Sequence, residues 1–312
     1  MKRDNELIGK IIAHKYFYLM LLPAIMFYAL FSYLPMTGIA LAFKEFQFGG
    51  FRKVWDIFAI WSFPNVGFEN FRLVFTNNRF LEVIRNTLFI SFGRLLFEFP
   101  APIILALILN EVRRSGLQRV FQTIFTFPHF LSWVIVVSVL NGIFRGDGVI
   151  NKLVISFGGT AHNYLTDRNI FRPLLFITSI WKEAGWGTII YMATIAGIDT
   201  ELYAAAVVDG ANRWHQMRYI TWPGIKTTVV LMLILACGGI LNAGFDQIIN
   251  MYNTMVMPVA DIIDTYIYRT TFTQGTNYSL STAIGLFKSV IGFALLLTVN
   301  KIAKLFGEEG LL

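Results

Sequence analysis

Few residues in this 312-residue chain could do chemistry, and the best of them form a polar stripe. On a helix drawn at 100° per residue, Asn242, Asp246 and Asn253 fall within about 40° of one another, with Asn250 beside them. The rest of that stretch is Leu, Ile, Gly and Ala, and Tyr252 stands next to it. Carboxamides with one carboxylate offer donors and acceptors together, as a polyhydroxylated ligand such as a sugar requires, and an aromatic ring gives such a ligand a face to lie on. The same pattern can hold two membrane helices together, so the stripe by itself leaves both roles open.

A second group consists of ionisable residues inside apolar runs, where each costs several kcal/mol unless paired or hydrated. Arg94 and Glu98 stand four residues apart, on one helix face, and can neutralise each other. Lys182 and Glu183 lie well inside another apolar run, followed at once by Gly185 and Gly187, which suit either a locally unwound helix or close packing. A subunit-interface or cavity role for this pair stands beside a structural one. Lys288 is available to pair with any of these.

Catalytic constellations are missing. Gly9-Lys10-Ile11 and Gly224-Ile225-Lys226-Thr227 both fail the glycine cradle ending in Gly-Lys-Ser/Thr that wraps phosphates with backbone N–H groups. His14, His129, His162 and His215 show no metal-ligand spacing, and no Gly-x-Ser-x-Gly elbow occurs. Cys237 is the single cysteine and reads as a small packing residue, so no disulfide forms within the chain. If ATP drives this protein, another chain binds it.

The elements that must carry these residues are membrane helices. Apolar residues make up 55% of the chain and charged ones only 14%, well below the quarter typical of soluble domains. The net charge of +7 is unclustered, which argues against nucleic acid and for loops that face anionic lipid and partner proteins. Six apolar spans are expected at about 16–43, 86–110, 121–144, 173–197, 228–249 and 278–299, the first kinked by Pro23 and Pro35. A short N-terminus (1–15) precedes the six-span region (16–300), and a tail (301–312) follows it. Six spans put both termini on one side. With the N-terminus inside, inner segments hold about as many Lys and Arg as outer ones but are shorter, so the positive-inside rule favours that orientation mildly.

Between the fourth and fifth spans lies the polar stretch 198–225. Asp199 or Thr200 can cap a helix, Leu202, Tyr203, Ala205 and Ala206 recur at helical spacing, and Gly210 suits the left-handed turn that ends it. A second short helix with Trp214 and Met217 follows, until Pro223 opens the next long helix. This stretch resembles the EAA loop of ABC-importer permeases. Ala204-Ala205-Ala206, Gly210, Ile220 and Pro223 stand at that family's spacing, while Ala204 replaces its Glu and Trp222 its Leu. Further along, FPHFLSWVIV (Phe127–Val136), IWKEAGWGTIIYMATIAGID (Ile180–Asp199), NAGFDQIINMYN (Asn242–Asn253) and GLFKSVIG (Gly285–Gly292) are similar to the maltose-permease-like carbohydrate-uptake class, in its lipoprotein and polysaccharide-oligomer branch.

The resemblance implies an all-α integral membrane protein with the type I importer permease fold, both termini cytoplasmic, in a bacterial cell membrane. It implies a second homologous permease as heterodimer partner and two copies of a cytoplasmic ABC ATPase. ATP and Mg would be held by that ATPase, with no cofactor in this chain. An extracellular or periplasmic binding protein would deliver an oligosaccharide. On this resemblance the ATPase-coupling residues are Glu201, Ala204, Ala205, Ala206, Asp209, Gly210, Ile220 and Pro223. The path residues are Asn242, Asp246, Asn250, Tyr252, Asn253, Lys182 and Glu183. Two other classes compete. An ion-coupled carrier would use Lys182, Glu183 and Asp246, though carriers often carry internal repeats and none is visible. A membrane-embedded enzyme lacks its constellation.

Overall fold

The computed structural model describes residues 13–47, 57–112, 114–273 and 277–305. The N-terminal residues 1–12, the Gly49-Gly50 loop and the end of the tail, 306–312, lie outside them. Secondary structure among the described residues is helical, apart from one isolated bridge between Lys44 and Asn65. The chain forms two compact units, residues 1–76 with 270–286, and residues 77–269 with 287–312.

In the first unit, α1 (Lys15–Tyr28) continues through a π turn (Ala29–Tyr33) and a 3-10 segment (Leu34–Phe43). Almost every large apolar side chain along α1 is exposed, as suits a helix bathed in hydrocarbon rather than water. Asn70, on α2 (Glu69–Thr76), donates its side-chain amide to the carbonyls of Ala42 and Lys44 and pins the exit of this span.

The second unit contains α3 (Asn78–Gly93), α4 (Pro100–Asn110), α5 (Ser115–Thr126), α6 (Trp133–Phe144), α7 (Val149–Ser156) and α8 (Arg168–Ala196). It continues with α9 (Thr200–Val208), α10 (Arg213–Gln216), α11 (Trp222–Gly238), α12 (Phe245–Met251), α13 (Met257–Ala260) and α14 (Ile263–Phe272) as far as Arg269, and it takes α15 (Tyr278–Leu305) from Phe287 onward. Helix α8 is its axis. Near its start Phe171, Leu174 and Leu175 join Ile90, Val136 and Ile248 in one buried cluster. Near its end Tyr191 and Ile195 join Ile103, Ala106 and Ile225 in another. In a bilayer such burial gains close packing rather than transfer from water, so small residues matter. Gly185 shows why: a Cβ there would stand 2.0 Å from the Phe125 carbonyl oxygen. The helix runs unbroken through Gly185 and Gly187, so of the two readings of those glycines close packing holds and unwinding does not.

Three prolines recur in one setting. Pro35, Pro100 and Pro223 each follow a five-residue π turn, at Ala29–Tyr33, Arg94–Glu98 and Met217–Thr221. A proline ring collides with the carbonyl four residues back and donates no N–H, and a turn widened by one residue moves that carbonyl aside. The N–H groups of Leu34, Phe99 and Trp222 accordingly reach back five residues, to the carbonyls of Ala29, Arg94 and Met217. Pro223 therefore starts no new helix; α10, the π turn and α11 form one helical stretch from Arg213 to Gly238.

Among the described residues, five stretches are long and apolar enough to cross a membrane: Lys15–Phe43, Asn78–Asn110, Trp133–Ser156, Arg213–Gly238 and Tyr278–Leu305. The 29-residue α8 has the length, but Arg168, Arg172, Lys182 and Glu183 lower its hydropathy. Two expected spans are interrupted. The 121–144 stretch breaks at a 3-10 turn, Phe127–Phe130, and restarts where the Ser132 hydroxyl caps α6. The 228–249 stretch breaks after α11, where Ala243 and Gly244 both adopt positive φ, 47° and 77°.

Candidate coupling surface and translocation path

The polar stretch folds as a helical hairpin. Asp199 caps α9 by accepting from the Glu201 N–H at 2.9 Å, and Asn212 caps α10 by accepting from the His215 N–H at 2.9 Å. Between them Gly210 takes φ 77°, with open space where a Cβ would stand, so the turn depends on backbone freedom and not on packing. Glu201, Ala204, Ala205, Asp209 and Gly210 are exposed, while Ala206 and Ile220 are half-buried. Protein leaves most of α9 bare, and the exposed side chains include the apolar Leu202, Val207 and Val208, the last 87% exposed. The α9 arm of the hairpin is held to the long helix that α10 begins. The Tyr203 hydroxyl meets the Thr221 hydroxyl at 3.0 Å inside the π turn, and Ile198 packs so close to Gly224 that a Cβ there would approach 2.5 Å. Helix α9 and Ile198 before it thus touch the Arg213–Gly238 stretch at the π turn and at the start of α11. Beneath the hairpin a groove of about 430 Å³ is lined by Trp214, Met217, Arg218 and Trp222 against Ile104 and Ile108.

The polar stripe is not a stripe on one helix. The break at Ala243–Gly244 resets the helical phase, and Tyr252 is already extended, so the 100° construction fails beyond Asn242. What results is divided by role. Asp246 and Asn250 remain one turn apart on the exposed face of α12, and among the described residues the Asp246 carboxylate has no partner. The Asn250 side chain bonds the Asp246 carbonyl at 2.7 Å. Asn253 is structural: its amide donates to the Leu165 carbonyl at 3.0 Å and its oxygen accepts from the N–H groups of Met255 and Val256. Tyr252 is half-buried against the first cluster, and Arg269 hydrogen-bonds its side chain, so its ring is a poor platform for a ligand.

Arg94 holds the break in place. Its Nε donates to the Ala243 carbonyl at 3.0 Å, its Nη2 bonds the Gln247 side-chain oxygen, and its Nη1 bonds both Glu98 oxygens at 2.9 and 2.8 Å and the Ser179 hydroxyl at 3.0 Å. Gln247 in turn donates to the Leu175 carbonyl and the Thr178 hydroxyl, each at 2.9 Å. A Cβ on Gly244 would stand 2.2 Å from Arg94 Nη2, so glycine serves both the backbone and the guanidinium. A cavity of about 280 Å³ opens beside the break, with Arg94, Glu98, Asn242 and Gly244 on its walls. Sequence spacing found the Arg94–Glu98 pair; Ser179 and Gln247 it missed, since only the reset phase turns Gln247 inward.

Lys182 and Glu183 form an ion pair at 2.8 Å, and His129 completes the group: its Nδ1 lies 2.6 Å from the other Glu183 oxygen, and its carbonyl accepts from Lys182 Nζ at 2.9 Å. The His129 ring stacks on Trp186, with centroids 4.5 Å apart. Lys182 is 5% exposed, whereas the Glu183 side chain is 41% exposed. Lys288 pairs with neither this group nor Arg94–Glu98. It bonds both oxygens of Asp264 at 2.7 Å and the Asn242 side-chain oxygen at 2.7 Å, because α14 and not α8 lies opposite its turn of α15.

Residues 98–306 match the family of binding-protein-dependent transport system inner membrane components. The chain is 47% identical to Protein LplB of Bacillus subtilis (strain 168) over 95% of its own length and 91% of that protein's. It is 42% identical to the polygalacturonan/rhamnogalacturonan transport system permease protein YteP of the same organism, over 99% and 94%. A solved structure, a bacterial alginate ABC transporter in complex with alginate pentasaccharide-bound periplasmic protein, contains a chain with TM-score 0.87 and 36% identity, covering 97% of this chain and 99% of that one.

Proposed function

This chain belongs to the family of binding-protein-dependent transport system inner membrane components, and from that premise we propose that it is the permease subunit of an ATP-driven importer for oligosaccharides. It sits in the bacterial cell membrane, with α8 as a sixth span and both termini cytoplasmic. It performs no bond chemistry of its own. A second, homologous permease completes the path, two ABC ATPase subunits supply ATP hydrolysis with Mg, and a binding protein delivers the sugar. The family match counts against an ion-coupled carrier built on Lys182, Glu183 and Asp246. Those three are not one set in any case: Lys182 and Glu183 neutralise each other, and Asp246 stands apart from them.

The observation that carries the coupling role is the hairpin. Its outer face is bare and apolar at Val207 and Val208, and its inner face is tied to α11 at Tyr203–Thr221. An ATPase cleft that grips α9 and closes pulls on α11. The far end of α11 meets the Arg94-held break, where Arg94, Glu98 and Asn242 line a cavity and Asp246 lies exposed on the helix that follows. Broken helices whose freed polar groups line a cavity are where membrane transporters bind ligands. Alternating access then follows from rocking α11 against the α3–α4 and α8 framework. Co-expression with the ATPase and binding protein, followed by ATP hydrolysis with and without saturated binding protein, tests the assignment. Oligogalacturonides and neutral oligosaccharides compared in uptake define the substrate. A chain that assembles with no ATPase would overturn the reading.

A further inference from the structure

Several arginines of the second unit have no carboxylate within ion-pairing distance among the described residues, and Arg79, Arg85, Arg168 and Arg172 are four of them. They gather around one short segment. Arg168 Nε donates to the Met255 carbonyl at 2.8 Å, Arg172 Nε to the Val259 carbonyl at 3.0 Å, and an Arg79 amino group touches the Met257 sulfur. Arg85 is close enough to Arg172 for their charges to repel. Glu82 shares a helix with Arg79 and Arg85 yet pairs with neither. Among the described residues Arg168 keeps both terminal amino groups unbonded, and Arg172 keeps Nη1 after its other amino group donates to Asn86 at 2.7 Å.

A groove of about 600 Å³ runs from these charges along α8. Arg168 and Arg172 form one end, where the Arg172 guanidinium lies 4.3 Å from the Phe89 ring centroid. Further along, the walls are Phe97, Phe176, Ile177 and Ile180, with no polar group. From Arg168 to Ile180 is twelve residues of α8, about 18 Å at 1.5 Å per residue, slightly more than half the hydrocarbon thickness of a bilayer. A cationic end at the level where α8 begins, then an apolar trough as long as one leaflet, matches an anionic amphiphile in both charge and length. We propose that this groove is a binding site for one anionic phospholipid, its phosphate held by Arg168 and Arg172 and one acyl chain lying along Phe176, Ile177 and Ile180.

The test uses the whole complex in phosphatidylcholine nanodiscs titrated with phosphatidylglycerol, with retained lipid read by native mass spectrometry. Phosphatidylglycerol should be retained over phosphatidylcholine, and the double variant Arg168→Gln, Arg172→Gln should weaken it about 30-fold, at one surface-charge interaction per arginine. Because Arg172 also braces Asn86 and Val259, whereas Arg168 makes one exposed bond to the Met255 carbonyl, Arg168→Gln alone provides the check, with about a fivefold loss. Arg145→Gln, which removes an arginine already facing Asp147, should change nothing. Unchanged retention in Arg168→Gln, or equal retention of the two lipids, would overturn the proposal. So would a photo-crosslinker at position 177 that labels the second permease or the binding protein instead of lipid. None of these readouts requires transport, so they stand or fall apart from the importer assignment.

Discussion

The substitution Gly244→Ala tests whether the break in the fifth apolar stretch is held by Arg94. The added methyl meets two costs. At φ 77° an alanine is in the left-handed region, which costs about 1–2 kcal/mol for a residue with a Cβ. It would also stand 2.2 Å from Arg94 Nη2 and 2.4 Å from its Cζ, so the guanidinium must leave. Leaving breaks the bonds to the Ala243 carbonyl and Gln247, and a hydrogen bond to a charged group contributes about 1.5–3 kcal/mol. The pair with Glu98 can follow Arg94 by rotation, so it is not counted. The sum is a loss of about 4–8 kcal/mol, a large share of the roughly 5–15 kcal/mol that separates folded from unfolded states. The control is the same chemical change at Gly142 in α6, where φ is helical and nothing lies within 4 Å of the new methyl. There alanine should be neutral or stabilising by up to about 1 kcal/mol. Thermal melts of the detergent-purified complex, with uptake measured in proteoliposomes, read both variants. If Gly244→Ala melts with the wild type and transports normally while Gly142→Ala does the same, Arg94 does not hold the break and the argument fails.

Other outcomes follow from the same geometry. Gly210→Val should insert and assemble yet lose substrate-stimulated ATP hydrolysis, since a β-branched residue resists φ 77° in a turn that nothing else constrains; normal stimulation would remove the coupling role from this turn. Glu183→Gln should destabilise more than Lys182→Met, by about 1–3 kcal/mol, because it strips the counter-ion from a buried ammonium, whereas Glu183 without Lys182 still has His129 and water; equal losses on melting would refute that asymmetry. Asp246→Leu should leave folding intact, as that carboxylate is exposed and unpartnered, but should lower uptake in a complex that still hydrolyses ATP; uptake at the wild-type rate would put α12 outside the sugar path.

Interactions within one or two helical turns were legible in the sequence. Hydropathy marked the apolar stretches, because membrane insertion responds to the sum of side-chain transfer energies over about twenty residues and not to which neighbour each one meets. Arg94 and Glu98 were found by a four-residue spacing that pairs side chains in an α-helix and still does in the π turn they occupy, and the cap at Asp199 and the left-handed Gly210 follow from backbone geometry over three or four residues. Interactions set by packing were not legible. The partner of Lys288 depends on α14 lying opposite it, and His129 reaches Glu183 only because the turn before α6 packs on α8, 54 residues away in sequence. The fifth stretch is the sharpest case. Its residues from Ala243 onward would continue a helix on local preference, and it is Arg94, from 149 residues earlier, whose hydrogen bond to the Ala243 carbonyl supports the turn out of it. Beyond that turn Gln247 faces inward, held by Arg94, Leu175 and Thr178, while Asp246 and Asn250 stay outside, so a pattern that looked continuous in the sequence is divided by contacts that only the tertiary structure supplies.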